Sequence, residues 1–388
     1  MLPSHSNSSD LRLQQIAMAR QAVIHSGRGM DALVGHGWIE RSWQRCLVSG
    51  KRPEQAPSFD VIAPAAMHRV QDAHHTLVRV ARPVLESLGK AIASTRYFAV
   101  LTNAQGVVIA AHGAIDRRDR RADLITRIGT DLSESAVATT AISAALTELQ
   151  PIWLHRGEHF FDANSSYSCA GAPLFGPSGA CIGMLDLTGI DAAERPELKH
   201  LVAQSARSIE NALTLSHLQH SQDLLVRLNW PGRTLGDETD GLVCLNAEGY
   251  VTAANQMARL MVPQIAQLKD DPTKRPHASD LFATPFETLF DAACTIGCVE
   301  PREVLLWTGL RLNVLSVSEH LPPARRKVPS VKSSGTGQLA PVLLKDTETA
   351  LIRTAVDNAR GNVVQAAKAL GISRATVYRR LGTNLRKS

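Results

Sequence analysis

The strongest constraint on this chain is a change of hydrophobic period that occurs twice. At 97–111 the sequence YFAVLTNAQGVVIAA runs apolar, breaks at Asn103–Gly106, and runs apolar again. Two short apolar runs around an Asn/Gly break predict a hairpin. At 241–263 GLVCLNAEGYVTAANQMARLMVP repeats the theme as strand, Asn246–Gly249 turn, strand and helix. Further strands are expected at 168–175 (SCAGAPLF) and 180–189 (ACIGMLDLTG), with Gly176-Pro177-Ser178-Gly179 as the turn between them. Two more are expected near 303–308 and 311–318. Helical spacing is read at 39–50, 66–93, 135–148 (Ser133 or Ser135 capping) and along one long run from 194 to 228. The expected class is α+β, with two sheet domains in series joined by the long helix.

Composition admits such domains. The 388 residues are 44% hydrophobic, enough for large cores, and the 20% charged content argues against wholesale disorder. No 18-residue apolar run and no signal-peptide core are present, so a cytoplasmic protein without a membrane partner is expected. Six scattered cysteines do not form a disulfide framework, and the lone Cys294/Cys298 CxxxC has no second pair at zinc-like spacing. Reduced, packed thiols are expected.

Charge is unevenly placed. Residues 341–388 hold nine Lys/Arg against three Asp/Glu, whereas residues 1–320 hold 29 against 33. A near-neutral body with a basic tail fits a protein whose tail meets a polyanion. Residues 321–341, LPPARRKVPSVKSSGTGQLAP, read as a flexible linker. Within it SSGTGQLA resembles a phosphate loop but fails as one. With Gly337 as the second glycine, Lys332 stands at the first, Gln338 at the lysine and Leu339 at the hydroxyl position. Neither a nucleotide nor any other cofactor is expected.

The tail reads as three short helices. Leu351, Ile352, Ala355 and Val356 lie at helical spacing, and Gly361 ends that helix. In NVVQAAKALGISRATVYRRLG, Val363, Ala366, Ala367 and Leu370 share a face, Gly371 makes the turn, and Ser373 can cap the last helix. Val377 and Leu381 face inward. The last helix then offers Arg374, Thr376, Tyr378, Arg379 and Arg380 outward, residue types suited to guanine edges and phosphates. A solvated basic helix in a small bundle is the plainer reading. As a helix-turn-helix, the unit predicts a homodimer on an inverted repeat, with the first helix (345–359) as the candidate interface.

The run GNVVQAAKALGISRATVYRRL (361–381) resembles the C-terminal domain of the Fis family. That resemblance implies DNA contacts at Ser373, Arg374, Thr376, Arg379 and Arg380. Four more stretches resemble the sensory region of acetoin-catabolism and glycerol/dihydroxyacetone-metabolism activators: SWQRC (42–46), GTDLSESAVATTAISAAL (129–146), HFFDANSSYSCAGAPLFGPSGACIGMLDLTG (159–189) and DGLVCLNAEGYVTAAN (240–255). The resemblance implies a helical region at 1–79, a GAF domain at 80–215, a PAS-like domain at 225–320, the linker at 321–341 and a Fis-type helix-turn-helix at 342–388. Such activators place an AAA+ ATPase, with its GAFTGA loop, between sensor and tail. Here it is missing. The run resembling GTNAIGTAL is also altered, to ESAVATTAISAAL.

A GAF sheet with a covering helix makes a small apolar pocket with a few polar groups. Candidate lining residues are Trp153, His155, His159, Phe160, Phe161, Tyr167, Ser168 and Asp186, with ordinary packing as the alternative for each. PIWLHRGEHFF reads as extended, which would separate His155 and His159 by about 13 Å, too far for one metal. Cys169 beside His159 lacks an orienting acid, so no catalytic residues are expected. The expected function is an ATPase-less, ligand-sensing transcriptional regulator. It would act by blocking a promoter, recruiting RNA polymerase, or pairing or competing with a full-length activator. Coupling would run along the 194–228 helix. An architectural DNA-bending protein and a small-molecule-binding protein or enzyme with a vestigial tail are the rival readings.

Overall fold

The computed structural model describes residues 6–25, 37–219, 221, 223–267, 274–294 and 301–317. The chain divides into two compact units, Met1–Pro322 and Pro323–Ser388. The linker and the tail, including Ser373, Arg374, Thr376, Tyr378, Arg379 and Arg380, lie outside the described residues, as does Cys298.

The first unit opens with α1 (Ser6–Arg20), a π turn (Gln21–His25), α2 (Gly37–Val48) and α3 (Pro64–Ala91). Next come β1 (Tyr97–Asn103), β2 (Val108–Gly113), α4 (Arg120–Ile125), α5 (Glu134–Val137), α6 (Ala141–Glu148) and β3 (Ile152–His155). The long hairpin β4 (Tyr167–Phe175) and β5 (Cys181–Ile190) completes an antiparallel sheet of order β2-β1-β5-β4-β3. α7 (Leu198–Leu218) leads to β6 (Leu224–Asn229), β7 (Gly241–Leu245), β8 (Val251–Ala254), α8 (Gln256–Met261), α9 (Ala278–Leu281), α10 (Glu287–Cys294), β9 (Arg302–Leu305) and β10 (Arg311–Val317). These strands form a second antiparallel sheet, β8-β7-β6-β10-β9.

The first sheet is buried on both faces, which is why its strands read as nearly continuous apolar runs. Strand alternation sends Tyr97, Ala99 and Leu101 to one face and Phe98 and Val100 to the other. The first face packs on α3 through Leu77, Ala81, Leu85, Leu88 and on α7 through Leu198, Val202, Ala206, Ile209, Leu213. Both sets recur every three or four residues, one stripe of a helix. The second face packs under α2, α5 and α6 through Trp38, Ile39, Trp43, Val137, Ala141 and Ile142. The last turn of α7 continues onto the second sheet, where Leu215 and Leu218 meet Leu225, Leu242 and Cys244.

The two Asn/Gly breaks form matching turns. Asn103 Oδ1 accepts from the Gln105 and Val107 amides, and Asn246 Oδ1 accepts from the Tyr250 amide. Gly106 and Gly249 take φ of +83° and +86°, which a side chain would oppose.

Three expectations change. The 194–228 helical run stops at Leu218, and 224–229 is strand β6, whose Leu224, Val226 and Leu228 alternate into the second core. LLVRLN carries leucines at helical as well as strand spacing, so period alone favoured extending the helix. The 152–161 segment is extended only to His155, after which Arg156–Glu158 and Asp162–Asn164 are 3₁₀ turns. The 135–148 helix is broken: α5 ends at Val137, and α6 restarts behind Thr140, whose hydroxyl accepts from Ser143 N. Neither serine caps α5 by its side chain in the expected way: Ser133 sits at the N-cap position without a side-chain cap bond.

The break has a backbone cause. Ala138 adopts φ +58°, ψ −150°, a region close to glycine-only. Aligning Ser135–Thr139 on NAIGT of the GTNAIGTAL run sets Ala138 at its glycine. Relief of strain, about 3 kcal/mol, outweighs about 1 kcal/mol of lost backbone restriction and roughly 0.8 kcal/mol of methyl burial. Ala138→Gly should therefore raise stability by about 1 kcal/mol, read as a higher urea midpoint.

Candidate functional site

Between the second face of the first sheet and the cover formed by α4–α6 and the 156–164 turns lies a cavity of about 40 Å³. At roughly 10–15 Å³ per water-sized probe it has room for only a few heavy atoms. Its apolar walls include Phe59, Val100, Ile125, Leu132, Val137 and Ile142; its polar lining is Thr140, His159, Asn164, Tyr167, Cys169, Asp186 and Thr188.

Strand alternation decides which candidates reach it. Tyr167 and Cys169 of β4 and Asp186 and Thr188 of β5 share the cavity face. Ser168 points to the other face, where His155 Nδ1 lies 2.8 Å from Ser168 Oγ and the imidazole stacks on Trp153. Trp153 packs with α3 and α7. Phe160 and Phe161 pack edge to face in the adjoining core without lining the cavity. Of the sequence candidates, the cavity thus gathers His159, Tyr167 and Asp186. Thr140, Asn164 and Thr188 went unread; only the hydroxyl pair Thr139-Thr140 in an otherwise Ala-rich run signalled any of them.

The polar groups are poorly satisfied. Asp186 is fully buried; its Oδ2 accepts from the Thr188 hydroxyl, and its Oδ1 has no partner. Burial pushes its carboxyl up to about 7 against the opposing Thr188 hydrogen bond. Cys169 Sγ sits 3.6 Å from Thr188 Oγ1, and burial, with the Asp186 charge, holds it as a thiol. Burial lowers His159 to about 4, so the ring is neutral. Its Nδ1 donates to Arg156 O at 2.9 Å, which leaves Nε2 as an acceptor without a partner. Asn164 Oδ1 is also unpartnered. Three lining residues therefore carry unmet hydrogen-bonding capacity, which is costly in a buried site.

No Lys or Arg lines this cavity. The hydrogen-bond contact of Cys169 Sγ is the Thr188 hydroxyl, not a base. Among the described residues no group of three or more His, Cys, Asp or Glu is placed to hold a metal, and no helix is long and apolar enough to cross a membrane.

The N-terminal helix braces the 156–162 wall. Arg20 donates to the carbonyls of Gly157, His159 and Phe160 at 2.6–3.1 Å and pairs with Asp162. Arg12 pairs with Glu158 at 3.0 Å, and Trp43 Nε1 donates to Glu158 O.

This architecture has a family. The model for the MimR N-terminal domain matches residues 18–211, half of the chain. The chain belongs to that family. A second model, the bacterial regulatory protein, Fis family, matches residues 343–382. The second sheet lies in the interval between the two matches. The acetoin catabolism regulatory protein of Cupriavidus necator is 30% identical over 323 residues, 80% of this chain and 46% of that protein. The acetoin dehydrogenase operon transcriptional activator AcoR of Bacillus subtilis is 25% identical over 58% of this chain and 36% of its own length. The chain thus spans less than half the length of these two relatives. Among solved structures, the E. coli DhaR(N)–DhaL complex is 15% identical and covers 72% of this chain and 99% of its own, with a TM-score of 0.43.

Asp186 generates a pH prediction. A carboxyl raised from about 3.9 in the unfolded chain contributes stability that is fully present below that value and lost as pH rises to about 7. Between pH 4 and pH 7.5, Asp186→Asn should gain on the wild type by up to about 4 kcal/mol. Urea unfolding at the two pH values checks this; a pH-independent difference would contradict the buried, protonated carboxyl.

Proposed function

We propose that this chain is a DNA-binding transcriptional regulator whose N-terminal sensor responds to a small uncharged effector. The observation that carries the reading is the Fis-family match on the basic tail, joined in one chain to the MimR-family domain that holds the cavity. The relatives' names, an acetoin catabolism regulatory protein and an acetoin dehydrogenase operon transcriptional activator, support the same direction.

In this reading residues 80–215 form a GAF sensor, 225–320 a PAS-like domain, 321–341 a tether and 342–388 the DNA reader. Ser373, Arg374, Thr376, Tyr378, Arg379 and Arg380 contact an inverted repeat in a homodimer. Only about twenty-five residues separate β10 from the Fis-family match, too few for an ATPase domain of roughly 100–200 residues. Regulation is therefore by occupancy: promoter block, contact with RNA polymerase, or competition or pairing with a full-length activator.

The cavity chemistry sets the effector class. With Asp186 inside and no cationic lining, a carboxylate would be buried unpaired. A compact hydroxyl- or carbonyl-bearing molecule satisfies the unpartnered atoms of Asp186, His159 and Asn164 instead. Small diols and hydroxyketones should raise the thermal midpoint of the purified chain. The matching carboxylates should not, and Asp186→Asn should weaken the response at least fivefold. A carboxylate that binds better than its alcohol would overturn this assignment.

The tail makes a separate prediction. Arg374→Ala with Arg379→Ala should reduce affinity for DNA from around its own coding region more than tenfold and flatten the salt dependence, read by gel shift. Equal affinity for random competitor DNA would favour the architectural reading.

A further inference from the structure

The cavity and the second sheet are joined by one piece of chain. β4 and β5 carry Tyr167, Cys169, Asp186 and Thr188 at the cavity. Seven residues further along from Cys169 and from Asp186, about 23 Å by strand rise, the same hairpin ends in the Gly176–Gly179 turn. That turn is gripped by the second sheet. Pro177 O accepts from Ala254 N at 3.0 Å and from Arg259 Nη2 at 2.6 Å.

Arg259, on α8, is 5% exposed; among the described residues its hydrogen bonds go to backbone carbonyls, and the Glu210 charge acts on it only from beyond ion-pair distance. Its other guanidinium bonds run to Ala254 O at 3.0 Å and Ile265 O at 2.9 Å. A buried guanidinium spent on backbone carbonyls is costly as a stabiliser, but its planar fork fixes three carbonyls relative to one another: one in the β4–β5 turn, one at the end of β8 and one in the 263–267 turn. The fit leaves no slack. A Cβ on Gly179, at φ +91°, would come within 2.8 Å of Arg259 Cζ.

Two neighbours on α7 complete the socket. Glu210 accepts from the amide of Phe175 at the end of β4 (2.9 Å), and Asn211 Oδ1 accepts from Asn255 Nδ2 at the start of α8 (2.7 Å). The hairpin between cavity and socket is tightly packed: a Cβ on Gly183 would lie 2.2 Å from Thr102 O, and one on Gly171 2.2 Å from Met184 Cε. Close-packed strands pass displacement on instead of absorbing it.

We propose that the Pro177 turn, clamped by Arg259, is the element through which filling of the cavity changes the second sheet. This rests on the effector reading above and assigns its route to the β4–β5 hairpin, not to α7 alone. Arg259 is a positioning residue in this scheme, and the α8 region is the receiving part.

The test uses the full chain and no effector. Val100 pairs with Asp186 across β1–β5 and lines the cavity, so Val100→Ile adds a methylene to that space. Amide hydrogen exchange is compared in four chains: wild type, Val100→Ile, Arg259→Met and the double variant. Val100→Ile should change exchange at 254–265 at least threefold when Arg259 is present, and by less than 1.5-fold when it is methionine. Its effect on β1, β4 and β5 should persist in both. An unchanged 254–265 segment in the Arg259 background overturns the proposal, as does an equal change in both backgrounds. Should Arg259→Met not fold, Arg259→Lys and Gly179→Ala disturb the same clamp and are read in the same way. Failure of every diol and ketone to bind would remove the effector reading while leaving this exchange cycle to decide the route.

Discussion

The β4–β5 hairpin, covered on both faces, is the constraint on which the first domain depends. Each strand has one set of side chains against α3 and α7 and the alternate set against α2, α5 and α6. An antiparallel sheet often leaves one face to water. Here neither face is free, so helices must be supplied from both before and after the sheet in sequence. That requirement explains the long helical stretch ahead of β1 and the placement of α7 behind β5. It also means the polar residues on the hairpin have no solvent to fall back on.

Burial of those polar residues gives the cavity its character. Asp186 is kept protonated toward neutrality and His159 is kept neutral by the same loss of water. Two groups that would carry opposite charges at the surface become a weak donor and a bare acceptor. The bracing of the 156–162 wall by Arg12 and Arg20 is the counterpart: charges lie behind the wall, where carbonyls and carboxylates receive them, and do not line the cavity.

The second sheet repeats the first in outline, down to an Asn-led turn with a left-handed glycine, but it takes its rear cover from the last turn of α7. The two sheets therefore share a helix and a clamped turn. Both kinds of contact come from residues with little sequence signal of their own: Pro177 and Gly179 read as turn-formers, and no sequence pattern marks Arg259. Their meeting depends on packing between elements about eighty residues apart.

The sequence by itself determined the elements whose physics is local. Short apolar runs around Asn/Gly or Gly/Pro turns specified β1–β2, β4–β5 and β7–β8, and three-four spacing specified α2, α3 and most of α7. The basic helix-turn-helix pattern at 361–381 is equally local, and the Fis-family match falls on it. Tertiary structure decided what local signals leave degenerate. LLVRLN could extend a helix or form a strand until the edge of β7 offered it hydrogen bonds. Ala138 could continue a helix by local propensity, but in the folded chain it takes a positive φ that ends α5. Tyr167 and Ser168, adjacent and both polar, went to opposite faces, because a strand's pleat separates neighbours and only the completed sheet says which face holds the cavity.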